Sequence, residues 1–186
     1  MQNFSPVKTT HYLIAPRLQS AKTIIDATCG TGKDCLFLAQ NSSVDAKIWA
    51  FDIQDLALTQ TSKLLRSHNI VDKVTLVYDN YVNWSEYCST NPDIVIFNLG
   101  YLPGGDKNIT TQVCDLQAAL PVLLTKLNTN GTVYIVAYSG HSAGYDEYVW
   151  LKDYLQSLPL NQYNVGQYIL FNHKKAAPIL YIIEKL

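Results

Sequence analysis

Between Asp26 and Asp34 the chain reads Asp26-Ala27-Thr28-Cys29-Gly30-Thr31-Gly32-Lys33-Asp34. Gly30 and Gly32 allow a sharp turn and a close backbone approach to a ligand. The helix expected after them presents unpaired N–H groups. Asp52 stands 20 residues beyond Gly32, at the end of the next strand-like run. An acid there accepts hydrogen bonds from a ribose diol, so the two features together predict a site for an adenosine-containing cofactor. A dinucleotide fingerprint needs a third glycine, and Cys35 occupies that place. Asp26, four residues before Gly30, would repel a pyrophosphate and suits a cationic amino-acid tail. Thr28, Thr31 and Asp34 complete the set expected around this loop. Gln54 is expected beside the second ribose hydroxyl or the adenine. Asp79-Asn80, after the third strand, is expected to accept from the adenine's exocyclic amine.

A second constellation runs Asn98-Leu99-Gly100-Tyr101-Leu102-Pro103-Gly104-Gly105-Asp106-Lys107. It follows a central strand, where ligands of doubly wound sheets sit. The Asn98 carbonyl is suited to holding an attacking amine, and the Tyr101 ring to stacking on a planar base. An alkylammonium must lose a proton before it attacks. Asp106, Tyr138 and His141 are the candidate acceptors, His141 because it titrates in the useful range. His11 is placed to cover the cofactor pocket. Possible phosphate contacts are Arg17, Lys22, Lys107, His173, Lys174 and Lys175. No His/Cys spacing suits a metal.

The elements that must position these residues alternate. Strand-like runs cover Thr23–Ala27, Lys47–Ile53, Lys73–Tyr78, Asp93–Asn98 and Thr132–Tyr138. Helical patterns follow at Gly30–Gln40, from Leu56 to His68, at Val82–Cys88, at Thr110–Leu127 and at Gly144–Leu158. Tyr163–Phe171 and Pro178–Glu184 are strand-like with no helix between them, which predicts a hairpin. Five βα repeats and a closing hairpin predict an α/β, Rossmann-like fold. Its sheet has seven mostly parallel strands, helices on both faces and a C-terminal antiparallel hairpin. The chain, 186 residues long, is expected to be one domain spanning 1–186, with 1–20 as a helical extension.

Apolar residues make up 48% and charged residues 16%, which excludes a disordered chain. Apolar runs are too short for a membrane span, and Met1–Pro16 lacks the pattern of a secretory signal. The four cysteines read as free thiols in a reducing cytoplasm. A net charge of −1 excludes a globally basic nucleic-acid coat.

The spacing D-x-x-x-G-x-G resembles motif I of class I S-adenosylmethionine-dependent methyltransferases. Asn98 and Tyr101 match the ends of the Asn-Pro-Pro-Tyr motif of amino-group methyltransferases, with Leu99 and Gly100 replacing the prolines. The whole chain resembles a family of small class I methyltransferases long labelled rRNA methyltransferases, which includes the tRNA 5-aminomethyl-2-thiouridine methyltransferase. The resemblance rests on Ile25-Asp26-Ala27-Thr28, Gly30-Thr31-Gly32-Lys33-Asp34, Phe51-Asp52-Ile53-Gln54, Phe97 through Lys107, Tyr138-Ser139-Gly140-His141 and Ile183-Glu184-Lys185. Thr31 departs from the family's frequent Asn, and Asp79-Asn80 from its usual Ser-His. The resemblance implies methylation of the primary amine of 5-aminomethyl-2-thiouridine at the tRNA wobble position, giving 5-methylaminomethyl-2-thiouridine. S-adenosyl-L-methionine is the implied cofactor and the tRNA anticodon stem-loop the implied partner. A homodimer would combine two weak basic patches. The competing readings are an rRNA base methyltransferase and a non-catalytic RNA-binding module on the same fold.

Overall fold

The structure is a computed structural model that describes residues 5–106, 109–140, 142–173 and 177–186. Its strands are β1 (Thr23–Asp26), β2 (Lys47–Asp52), β3 (Val74–Tyr78), β4 (Ile94–Asn98), β5 (Thr132–Ala137), β6 (Tyr163–Tyr168) and β7 (Ile179–Lys185). They form one sheet in the order β3-β2-β1-β4-β5-β7-β6. β1 to β5 run parallel, and β7 lies antiparallel between β5 and β6. The helices are α1 (Pro6–Ile14), α2 (Lys33–Asn41), α3 (Asp55–Ser67), α4 (Trp84–Tyr87), α5 (Val113–Lys126) and α6 (Ser142–Gln156). This is the Rossmann-like α/β architecture that the alternating pattern predicts. Among the described residues no helix is long and apolar enough to cross a membrane.

Both faces of the sheet are covered because its central strands are apolar on both sides. Side chains of a strand alternate between faces. On β4, Ile94 and Ile96 join Ile24, Ile48 and Tyr134 in a core closed by Ile14, Leu18, Leu38 and Leu65. Val95 and Phe97 point the other way, to Phe51, Val133, Leu120, Leu123 and Leu151. A strand buried on both faces is the usual state of parallel sheets.

Four boundaries differ from the sequence reading. The N-terminal helix is α1 plus a short 3-10 turn at Ala15–Arg17. Pro16 has no N–H to continue the α-helical ladder. The expected helix at Val82–Cys88 is a 3-10 turn at Tyr81–Asn83 followed by the single turn of α4. α5 begins at Val113 instead of Thr110, because Thr110 pairs with Tyr101 in an isolated antiparallel bridge. β6 ends at Tyr168, opposite Leu180. Two residues further, Leu170 would face Pro178, which cannot donate to a ladder.

The order reverses where β1 lies between β2 and β4. Loops leave the carboxyl ends of those strands on opposite faces there, and a crevice opens between them.

Candidate active site

A cleft of about 760 Å³ lies at the carboxyl ends of β1, β2 and β4. Thr28, Gly30, Thr31, Asp34, Asp52, Gln54, Asp79, Asn80, Asn98 and Tyr101 all line it. Nearly the whole expected set therefore converges on one wall-to-wall site, although it is drawn from residues more than 70 positions apart.

The loop after β1 is built for close approach. Gly30 and Gly32 hold φ of +50° and +80°, values that L side chains adopt only at a cost. A Cβ on Gly32 would also stand 2.8 Å from the Thr61 Cα of α3. Asp52 ties the loop to β2: Oδ2 accepts from the Gly30 N–H at 3.0 Å and Oδ1 from the Gln54 N–H at 3.0 Å. Partial burial raises the Asp52 pKa despite those donors.

Asp26 is placed apart from the other predicted residues. It is wholly buried beneath the loop and is not on the cleft wall. Its carboxyl accepts from the Thr28 N–H at 3.2 Å and the Cys35 Sγ–H at 3.1 Å. Burial, and then the Asp34 charge, push its pKa up to about 7. Its negative charge reaches the cleft only through the loop it supports. Of the two acids flanking the loop, the one on the wall is Asp34. Its Oδ2 faces the Asn98 Nδ2 at 3.3 Å, and its Oδ1 lies 2.6 Å from His11 Nε2. His11, on α1, stacks flat on Phe37 with ring centroids 3.9 Å apart and is 24% exposed. A covering role for His11 is readable from its place before β1; its partner 23 residues away is not.

Asp79 and Asn80 both line the cleft, and both are engaged in the turn after β3. Asp79 accepts from Asn83 Nδ2 and from the Tyr87 hydroxyl at 2.8 Å, and the Tyr87 bond leads in lowering its pKa. Asn80 donates to Asp115 and accepts from the Val82 N–H. Any contact with an adenine amine would share oxygens that are already bonded.

The loop after β4 roofs the site. The Asn98 N–H donates to Thr28 Oγ1 at 2.8 Å, which fixes the end of β4 against the end of β1. A Cβ on Gly105 would sit 3.1 Å from Gln54 Oε1, so the turn at Pro103–Gly105 passes directly over Gln54. Tyr101 stands on the rim, 47% exposed. Asp106 is on this loop but not on the cleft wall. Tyr138 is on the wall, and burial followed by the Asp34 charge raises its pKa, which disfavours it as a proton acceptor. His141, Lys107, Lys174 and Lys175 lie outside the described residues. Arg17 is committed to Glu184 and to the Asn130 carbonyl, so it is not a free phosphate contact.

Four carboxylates, Asp34, Asp52, Asp79 and Asp115, face the cleft against one described cation, Lys33. Such a wall suits a cationic ligand and opposes a pyrophosphate. The left-handed glycines, Asp52 at the end of β2 and the acidic lining together fit a nucleoside carrying a positive tail.

The structure also contains a buried acid with no sequence signal. Glu147, on α6, is fully buried and pushed up to about 7 by desolvation. Asp26 and Glu147 give a stability prediction. Both carboxyls ionise near 4 in the unfolded chain and near 7 in the folded one, so the folded state binds more protons between those values. Stability then falls as pH rises from about 4 to 7 and the loss is complete above it. Thermal unfolding of the apo protein should show a lower Tm at pH 8 than at pH 6. The Asp26→Asn/Glu147→Gln double variant should shrink that difference, and an unchanged difference would refute the assignment.

Comparisons with known proteins show the family. The family described as "Putative rRNA methylase" matches residues 48–184. A chloroplastic tRNA (mnm(5)s(2)U34)-methyltransferase of Arabidopsis thaliana is 30% identical over 96% of this chain and 68% of its own. A crystal structure described as a "putative rRNA-methylase" from Clostridium thermocellum is 33% identical and superposes over 100% of both chains with a TM-score of 0.95. A Streptococcus mutans methyltransferase structure, in complex with SAH, is 30% identical, covers 97% of this chain and 98% of its own, and has a TM-score of 0.87. The chain thus uses S-adenosylmethionine and belongs to the rRNA methylase family of class I methyltransferases.

Proposed function

We propose that this methyltransferase converts 5-aminomethyl-2-thiouridine to 5-methylaminomethyl-2-thiouridine at the tRNA wobble position. The observation that carries the reading is the pairing of Asn98 and Tyr101. Asn98 sits at the fixed end of β4 against Asp34, and Tyr101 stands half-exposed on the rim, three residues on. That arrangement suits an amine attached to a planar base which can be splayed out of a single-stranded loop. The Arabidopsis relative, whose name states this wobble modification, supports the same substrate.

Gly30, Thr31, Asp52 and Gln54 would hold the nucleoside end of the cofactor, and Thr28, Asp34 and Asn98 its methionine end. Asp26 shapes the loop from below, and Asp79 and Asn80 bound the adenine side. Bound S-adenosylmethionine supplies a methyl group already activated on a sulfonium. The chain's task is therefore alignment and removal of one proton. The Asn98 amide oxygen orients the amine. Asp34 takes the ammonium's proton, and His11 passes it to solvent from its partly exposed ring. Leu102 lies against Gly30, and Gly105 packs beside Gln54. Tyr101 supports the base, so Tyr101→Ala should weaken RNA use by about 1 kcal/mol or more, the range for base–aromatic stacking. S-adenosylhomocysteine binding should not change, and filter binding with calorimetry checks both.

The anticodon stem-loop is the proposed partner, with Lys22 and His173 among the phosphate contacts. A homodimer would double that thin basic surface. The experiment that tests the function is nucleoside mass spectrometry of tRNA from a strain lacking the gene. It should accumulate 5-aminomethyl-2-thiouridine. Normal tRNA with an undermethylated rRNA base would favour the alternative in the family's description.

A further inference from the structure

Phe171 is 94% exposed, more than any other large apolar side chain among the described residues. It stands in the connection from β6 to β7, in a turn where the His173 N–H donates to the Leu170 carbonyl at 3.1 Å. Turn positions are normally filled by Gly, Pro, Asn, Asp or Ser, for conformational reasons that a phenyl ring does not share. Ile169, two residues before it, is exposed as well. The base of the hairpin is anchored, because Tyr168 packs on the same core as Tyr138, beside Val136 and Leu180. The tip therefore presents an aromatic face to solvent from a fixed support.

The register places that tip on the rim of the cleft. Asn98 pairs with Val136, Ala137 with Ile179, and Leu180 with Tyr168. The β6–β7 connection thus leaves the sheet at the edge where Asn98 ends β4. From β4 across β5 to β7 is two strand spacings, about 10 Å. Tyr138 and Gly140, which follow the intervening β5, line the cleft. Charge distinguishes the two ends of this path. Asp34, Asp52, Asp79 and Asp115 face the cleft, whereas the chain carries no Asp or Glu between Asp153 and Glu184. His173, in the same turn as Phe171, is exposed. A nucleic acid that sends one base into the acidic cleft is repelled there through its phosphates, and the acid-free hairpin is where the adjoining strand meets least repulsion.

We infer that the β6–β7 hairpin is a contact for single-stranded RNA, in which Phe171 stacks on an unpaired base next to the one being methylated. This rests on the proposed reaction at a wobble base, whose loop supplies unpaired neighbours. Tyr101 and Phe171 then act as two platforms on one rim, the first for the target base and the second for its neighbour. Every base has a π-face, so Phe171 adds affinity without selecting sequence.

The test uses synthetic anticodon stem-loop RNA carrying 5-aminomethyl-2-thiouridine at the wobble position. Fluorescence anisotropy compares wild type with Phe171→Ala, Phe171→Leu and Phe171→Trp. The Ala and Leu variants should bind about tenfold more weakly, within the range for one lost base–aromatic stack. Phe171→Trp should stay within about twofold of wild type. Leucine keeps apolar bulk without a flat face, so it separates stacking from plain hydrophobic contact. Tm and S-adenosylhomocysteine affinity should match wild type in all three, because the ring is outside the core. In methyl transfer, KM for the RNA should rise about tenfold in Phe171→Ala while kcat stays within about twofold. With 5-iodouridine beside the wobble position, irradiation should cross-link the RNA to the peptide containing Phe171. Wild-type affinity in Phe171→Ala or Phe171→Leu overturns the inference, as does a cross-link confined to other peptides. A smaller oligomer in Phe171→Ala with RNA affinity unchanged marks an interface between copies of this chain and also overturns it. If wild type binds the stem-loop through Phe171 and leaves the amine unmethylated, the substrate reading falls and the contact stands. If Phe171→Ala binds and methylates as wild type does, the contact falls and the substrate reading stands.

Discussion

Replacing Asn98 by alanine is expected to lower methyl transfer by about 100-fold or more, because misplacing reactants by an ångström costs on that order. Two features place this side chain. Its backbone N–H is held by Thr28 Oγ1, so the residue cannot shift along the cleft. Its amide nitrogen is turned to Asp34 Oδ2 at 3.3 Å, which leaves the amide oxygen as the free acceptor for an incoming amine. Alanine removes that acceptor and also loosens Asp34, the proposed proton acceptor. Binding of S-adenosylhomocysteine should weaken far less than transfer, since Asp52 and the glycine loop are untouched and only the contact at its methionine end is lost. Single-turnover methyl transfer and calorimetry on the same preparation check the two halves. Normal transfer in a folded Asn98→Ala protein would move the chemistry away from the end of β4.

Asp52→Ala should act in the opposite way, on cofactor affinity. Charged hydrogen bonds are worth about 1.5–3 kcal/mol each when lost, which is about 10- to 150-fold in Kd. The upper end is expected, because the carboxylate also ties down the Gly30 and Gln54 N–H groups. The variant therefore loses the diol acceptor and the loop geometry together. Calorimetry with S-adenosylhomocysteine measures the effect, and NAD should stabilise neither protein. An affinity within about twofold of wild type would mean that the ribose sits elsewhere, since even one charged hydrogen bond exceeds that.

Much of this was legible in the chain because the signals are local. β4 announces itself by an apolar run bounded by Asp93 and Asn98, and the glycine loop by Gly30 and Gly32 at their spacing from Asp52. What was not legible depends on contacts between distant segments. The expected helix start at Thr110 is overridden by pairing with Tyr101, a tertiary bond that helix propensity cannot register. His11 meets Asp34 only because α1 folds across the end of α2. Asp26 and Asp34 flank the same loop and look equivalent as letters. Depth separates them, since Asp26 lies under the loop with Cys35 and Asp34 lies on the wall. Glu147 carries no motif at all. It is visible only as a buried carboxyl with no hydrogen-bond partner among the described residues.

The most direct test of the proposed substrate is a reconstituted reaction. Purified protein, S-adenosylmethionine and tRNA carrying 5-aminomethyl-2-thiouridine at the wobble position are incubated, and the nucleosides are resolved by mass spectrometry. Conversion of that nucleoside to one a single methyl group larger is expected, with the methyl on the side-chain nitrogen, and conversion slowed about 100-fold or more with Asn98→Ala. A tRNA that emerges unchanged while the same protein methylates an rRNA base would contradict the proposed substrate.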